Sequence, residues 1–137
     1  MNFETDVAVR FDDLDTYGHV NNVRYGTYLE EARIDYLTDV VADGDRGFLA
    51  DSDDGIVIKT LEIEYERPVR SADSVTVAVR VPRLGTTSFP FEYEVRHDGA
   101  VAATAETTVV TYDRAAGEPQ PIPEEWRDAI SEFEFGQ

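Results

Sequence analysis

Arg10-Phe11-Asp12-Asp13-Leu14-Asp15-Thr16-Tyr17-Gly18-His19-Val20-Asn21-Asn22-Val23-Arg24-Tyr25-Gly26-Thr27-Tyr28-Leu29-Glu30-Glu31-Ala32-Arg33 is the stretch from which the rest of the chain is read. It is a strand ending in acids, a tight turn at Gly18 and the start of a capped helix. From Asn22 to Val41 the apolar residues Tyr25, Tyr28, Leu29, Ala32, Tyr36, Leu37 and Val40 recur at helical spacing. Glu30, Glu31 and Arg33 are assigned to the outer face. Asn21 or Asn22 caps the start, and Gly44 is the stop signal. About nineteen residues make a rod of about 28 Å.

Outward from this helix the period changes to two. Val7, Val9 and Phe11 alternate with Ala8, Arg10 and Asp12. Val57, Leu61, Ile63 and Tyr65 alternate with Ile58, Thr60, Glu62 and Glu64, and Lys59 interrupts the apolar side. Val75, Val77, Val79 and Val81 share one face. Phe89, Phe91, Tyr93 and Val95 share another, opposite Glu92, Glu94 and Arg96. A last strand, with weaker alternation, runs from Val101 to Tyr112. One polar side per strand means an antiparallel sheet with one solvated face. Arg67-Pro68 ends a strand; Leu84-Gly85-Thr86 and His97-Asp98-Gly99 are hairpin connections. The expected order is strand, long helix, then four strands in meander, an α+β fold in which the helix covers the sheet. Residues 1–117 form this domain. Residues 118–137 are a proline-rich connector and a short helix spanning 124–135.

Composition narrows the function. There is no cysteine, so disulfides and a thiol nucleophile are excluded. His19 and His97 are too few for a histidine cluster, and no metal and no cofactor are expected. No apolar run approaches the ~20 residues of a membrane helix. Met1 to Arg10 lacks a secretory signal's apolar stretch, which points to the cytoplasm. Asp and Glu total 29 against 12 Lys and Arg, a net charge of −17, and eleven of the twelve cations are arginine. The acids are dispersed over the whole chain, so the entire surface is acidic. Such self-repulsion destabilises the compact state in ordinary salt and is mostly screened at 1 M, where the Debye length falls to ~3 Å; the plainer reading is an acidic protein of ordinary salt. A salt-rich, halophilic cytosol is inferred. No basic stripe is present to neutralise nucleic-acid phosphates.

A helix start presents unpaired N–H groups and partial positive charge, the equipment for holding a developing oxyanion. Asp15 lies a few residues upstream and can face the same spot. A carboxylate beside oxyanion donors is a pattern for acyl transfer.

Asp13 to Tyr25 resembles the signature of the 4-hydroxybenzoyl-CoA thioesterase-like branch of the hotdog superfamily. Tyr65-Glu66-Arg67-Pro68-Val69 and Leu84-Gly85-Thr86-Thr87-Ser88-Phe89 fit as well. The resemblance covers residues 5 to 113. It implies a five-stranded antiparallel sheet wrapped around one long α-helix, and a homodimer or homotetramer with active sites at the subunit interface. It implies hydrolysis of an acyl-CoA thioester, with the catalytic acid on Asp15 acting as nucleophile or general base. It puts the oxyanion and substrate contacts at Asn22, Val23 and Tyr25, with His19 in support. Arg83 and Ser88 are candidates for touching the CoA tail. The segment also resembles plant acyl carrier protein thioesterases, which carry Asp, Asn and His at alternate positions. Here these are Asp15, Tyr17 and His19, so that set is incomplete.

Each residue also has a plainer reading. Asp15 suits a turn cap. His19 is read as bonding local backbone, and Asn21 and Asn22 as caps whose oxyanion role belongs to the main chain. Tyr25 is core or pocket lining. Asp12 and Asp13 are taken as solvated loop acids, and His97 as hairpin rim. The competing functions are a non-catalytic acyl-CoA-binding hotdog protein, acting as a sensor or partner subunit, and a hotdog hydratase or dehydratase, the latter disfavoured by the Asp–His spacing.

Overall fold

The computed structural model describes residues 1–70 and 74–136. Strand β1 (Phe3–Ala8) leads through a 3-10 turn at Phe11–Asp13 and another at Asn22–Arg24 into helix α1 (Tyr25–Val40). A short helix α2 (Arg46–Asp51) precedes β2 (Asp54–Tyr65), β3 (Ser74–Arg80), β4 (Ser88–His97), β5 (Ala100–Asp113), the two-residue β6 (Glu118–Pro119) and helix α3 (Glu124–Phe135). All pairings are antiparallel in the order β1-β3-β4-β5-β2, and β6 pairs with the end of β5. This is the hotdog fold: a five-stranded sheet curled about one long helix, with α2, β6 and α3 added. The helix begins as a single 3-10 turn at Asn22, and its 16 α-helical residues rise about 24 Å. Gly44 follows its end at φ 86° and donates its N–H to the Thr38 carbonyl.

Three sequence expectations need correction. The four later strands are not a simple meander. β3, β4 and β5 are consecutive neighbours, but β2 lies beyond β5 and forms the free edge opposite β1. Alternation places residues on faces and is blind to strand order. β1 starts earlier than its Val7–Phe11 pattern suggests and buries Phe3 and Val7. Val9 is half-buried beyond the strand, and the side chain of Phe11 lies outside the described residues. In β2 the register slips between Ile58 and Thr60, so Lys59 is a β-bulge. The bulge flips the alternation. Ile58, opposite Val109, shares the concave face with Leu61, Ile63 and Tyr65, whereas Val57 turns outward opposite Val110. A second slip, at Val95/Arg96 against β5, accounts for the weak alternation there.

The connections follow their turn chemistry. Asp98 (φ 52°) and Gly99 (φ 75°) both take positive φ, the requirement of a two-residue type I′ hairpin. The concave face carries the core. Val75, Val77 and Val79 of β3 and Phe89, Phe91, Tyr93 and Val95 of β4 pack under Tyr25, Leu29, Ala32, Tyr36 and Leu37 of α1. Tyr36 makes edge contacts with Phe3, Phe91 and Phe133 at 5.4, 5.5 and 5.7 Å, a geometry favoured by the ring quadrupole. Helix α3 docks on this core through Trp126 and Ile130. Glu134 accepts hydrogen bonds from Tyr36 Oη (2.6 Å) and Val81 N (2.7 Å). Burial first, and the adjacent Glu134 second, push the Tyr36 hydroxyl well above its usual pKa.

The convex face is acidic in register. Glu62 lies opposite Glu106, and Glu106 opposite Glu92, with Arg80 closing the row by an ion pair to Glu92. Like charges directly opposed across strands are destabilising unless screened.

Candidate active site

The loop between β1 and α1 is pinned at both ends. Leu14 bridges Val20, and Asp15 N–H donates to the His19 carbonyl at 2.7 Å. Gly18, at φ 77°, closes the turn and donates to the Asp15 carbonyl at 3.0 Å. The Asp15 side chain then accepts through Oδ1 from Tyr17 N (2.9 Å) and His19 N (3.1 Å). One oxygen therefore orients the group as a turn cap, and Oδ2 has no hydrogen bond among the described residues. The two readings of Asp15 are compatible: the cap aims the carboxylate.

Below the loop, Val20 N donates to the Val69 carbonyl, and His19 bridges Arg70, so the loop rests on the segment after β2. Asn21 is the cap, accepting from Val23 N at 3.1 Å. The Asn22 carbonyl accepts from Tyr65 Oη at 2.9 Å. The Asn22 N–H donates to nothing among the described residues.

Asp15, His19, Val20, Asn22, Tyr25, Tyr65, Glu66, Arg67 and Pro68 line a cleft of about 380 Å³. Asp15, His19, Asn22 and Tyr25 thus come together. Tyr25 is both core and lining: it is buried, meets Tyr65 edge-on at 5.1 Å, and has its hydroxyl pKa raised first by burial and then by Tyr65. Val23 is not in the lining; it is exposed and its N–H is held by Asn21. Arg83 and Ser88 lie toward the other end of the sheet. Ser88 is seven residues along β4 from Val95, which stands level with Tyr65, or about 23 Å.

Asp13 departs from its reading as a solvated acid. It is buried, and its Oδ2 accepts from Tyr28 Oη (2.7 Å) and Arg10 N (2.8 Å), with Arg24 at 3.6 Å. Burial and then Asp13 raise the Tyr28 pKa. Asp13 thus fastens the loop between β1 and α1 to the helix. Glu66 and Arg67 carry no assignment from the sequence, although the Tyr65–Val69 segment is part of the family resemblance. Among the described residues, no three His, Asp or Glu side chains are grouped to hold a metal ion. No helix among them is long and apolar enough to cross a membrane.

Comparison with known proteins agrees with this architecture. The family model described as the thioesterase-like superfamily matches residues 9–130. The long-chain acyl-CoA thioesterase FadM of Escherichia coli is 30% identical over 132 residues, covering 95% of this chain and 98% of that protein. The 1,4-dihydroxy-2-naphthoyl-CoA hydrolase of Synechococcus elongatus is 28% identical over 124 residues, 88% of this chain and 89% of the relative. A Thermus thermophilus thioesterase, solved with coenzyme A and zinc, superposes with a TM-score of 0.82 at 34% identity over 97% of this chain and 94% of its own.

Proposed function

The chain belongs to the thioesterase-like superfamily, and from that premise we propose that it is an acyl-CoA thioesterase using Asp15 as its catalytic carboxylate. One observation carries the reading: Asp15 is oriented by two main-chain N–H groups, keeps one oxygen free, and shares a cleft with the undonated N–H of Asn22. As the thioester carbonyl is attacked, its oxygen gains negative charge. The Asn22 N–H at the start of the helix is the donor available to meet it. Asp15 either attacks the carbonyl carbon, expelling the CoA thiolate and leaving a mixed anhydride for water to cleave, or takes a proton from an attacking water. His19 contributes its backbone N–H to the carboxylate. Placement in the 4-hydroxybenzoyl-CoA thioesterase-like branch rests on the Asp13–Tyr25 motif.

The working form is a homodimer or a homotetramer. β2 is a twelve-residue edge strand with Val57, Ile58, Leu61 and Tyr65 exposed. A long apolar edge of this kind needs cover, and a second copy supplies it. Arg83 and Ser88 can serve the site only across such a contact. The net charge of −17 supports a working environment of high salt. A panel of acyl-CoAs, assayed at molar KCl with a free-thiol reagent, tests the activity. Release of CoA from at least one member is expected; binding without release would favour a non-catalytic CoA-binding protein.

A further inference from the structure

The turn that opens the long helix has little of its own to hold it. Asn21 to Arg24 are all exposed, Asn22–Arg24 form a single 3-10 turn, and α1 has no side-chain cap at its first residue. Hydrogen-bond geometry in a 3-10 turn is poorer than in an α-helix. Yet this turn carries the donor on which the thioesterase reading depends. Its neighbours are committed one by one. Asn21 N donates to the Asp13 carbonyl, Val23 N to Asn21 Oδ1, Arg24 N to the Asn21 carbonyl and Tyr25 N to the Asn22 carbonyl. Among the described residues the Asn22 N–H alone of these five is left over. Its value lies in its direction, because such a donor has to be held to within about 0.5 Å of the productive geometry.

One contact from far along the chain reaches this turn. Tyr65, at the end of β2, donates its hydroxyl to the Asn22 carbonyl at 2.9 Å across 43 residues of sequence. The ring stands edge-on to Tyr25 at 5.1 Å, and both tyrosines line the Asp15 cleft. The strand end that carries Tyr65 is itself anchored. Tyr65 pairs with Ala103, and the next two N–H groups, of Glu66 and Arg67, both donate to the Ala102 carbonyl. The hydroxyl therefore ties a weak exposed turn to the sheet. The carbonyl it holds and the free N–H belong to the same residue, separated by only two backbone torsions. Fixing one restricts the swing of the other. The bond is made within one chain and does not depend on what covers the β2 edge.

We propose that Tyr65 is a positioning residue, whose hydroxyl holds the Asn22 main chain so that the free Asn22 N–H faces the thioester oxygen beside Asp15. This rests on the thioesterase reading above and deepens it. Tyr65 does not touch the reacting atoms through its hydroxyl; it acts through the backbone of Asn22. Its contribution belongs to the stage at which charge collects on the oxygen, so it acts on turnover and not on ground-state binding.

The test measures kcat, KM and the Kd for CoA on the full chain at molar KCl, with whichever acyl-CoA the wild type hydrolyses. Tyr65→Phe keeps the ring and its contact with Tyr25 and removes only the hydroxyl. It is expected to lower kcat about tenfold, with KM and Kd within about twofold of wild type; losing an oxyanion donor outright costs about 10²–10³ in kcat, and a loosened one costs less. Asn22→Pro supplies the outright loss. Proline has no N–H and suits the first position of a helical turn, and Asn21, at φ −64° and ψ 132°, already has the extended backbone that a following proline requires. Adding Tyr65→Phe to Asn22→Pro should then cost nothing further in the residual turnover. An unchanged kcat in Tyr65→Phe, or a loss of the same size on top of Asn22→Pro, overturns the positioning role and leaves the thioesterase reading standing. Near wild-type turnover by Asn22→Pro removes the donor itself, and with it anything for Tyr65 to position. A wild type that releases CoA from no thioester sinks both readings.

Discussion

Replacing Asp13 by alanine removes the clamp between the β1–α1 loop and α1. Its carboxylate receives one hydrogen bond from the buried Tyr28 hydroxyl and one from Arg10 N–H. Hydrogen bonds to a charged group contribute about 1.5–3 kcal/mol each. Arg24 is about half exposed at 3.6 Å, so this pair adds at most about 1 kcal/mol. The Tyr28 hydroxyl, in a residue only 2% exposed, is left without its partner, a penalty already contained in the hydrogen-bond figure. The expected loss is about 3–7 kcal/mol, which lowers the melting temperature by about 10–25 °C in a domain of this size. Urea unfolding at a fixed molar KCl concentration measures it without the ionic change that guanidinium would bring. Tyr28→Phe completes a double-mutant cycle, in which a coupling of about 1.5–3 kcal/mol is expected. A loss below about 1 kcal/mol for Asp13→Ala, or no coupling to Tyr28, would refute the clamp.

Three further outcomes are expected. Tyr25, Tyr28, Tyr36 and Tyr93 all have pKa values raised, in each case chiefly by burial. Their contribution is complete below the unfolded value near 10 and is lost as pH rises beyond it, so melting temperatures should fall above about pH 10; a flat profile from pH 8 to 11 would contradict the burial. Stability and activity should rise together as KCl goes from about 0.1 M to 1 M, where the Debye length shrinks from ~10 Å to ~3 Å and the opposed Glu62, Glu106 and Glu92 are screened; a melting temperature flat or falling with salt would sink the halophilic reading. Wild type should sediment as a dimer or tetramer at molar salt and Leu61→Glu, on the exposed part of β2, as a monomer; a monomeric wild type would refute the proposed assembly, and an unchanged mass for the variant would place the subunit contact elsewhere.

Much of the fold was legible because it depends on local periodicity. Tyr25 to Val40 announces the helix, and Asp98-Gly99 announces a hairpin that the positive φ angles realise. Strand order depends on crossovers that no local pattern encodes, so the place of β2 beyond β5 was not readable. Lys59 was visible as an interruption, but only the pairing with β5 shows that it is a bulge that exchanges Val57 for Ile58 on the inner face. In the site, Asp15, His19, Asn22 and Tyr25 were readable together because they lie within eleven residues. Asp13 and Arg33 were not, since a charged residue reads as solvated until a distant partner, Tyr28 or Tyr93, is seen against it.

The central claim is the role of Asp15, and Asp15→Asn tests it most directly. The amide oxygen still accepts from Tyr17 N and His19 N, so the loop and the unfolding midpoint should be preserved. The measurement is kcat for CoA release by this variant beside wild type at molar KCl, with His19→Ala as a milder control because only the His19 main chain touches Asp15. A fall in kcat of at least about a hundredfold is expected, the scale of losing a positioned catalytic group. Near wild-type turnover by a correctly folded Asp15→Asn enzyme would contradict the mechanism and shift attention to Glu66, the other carboxylate of the cleft.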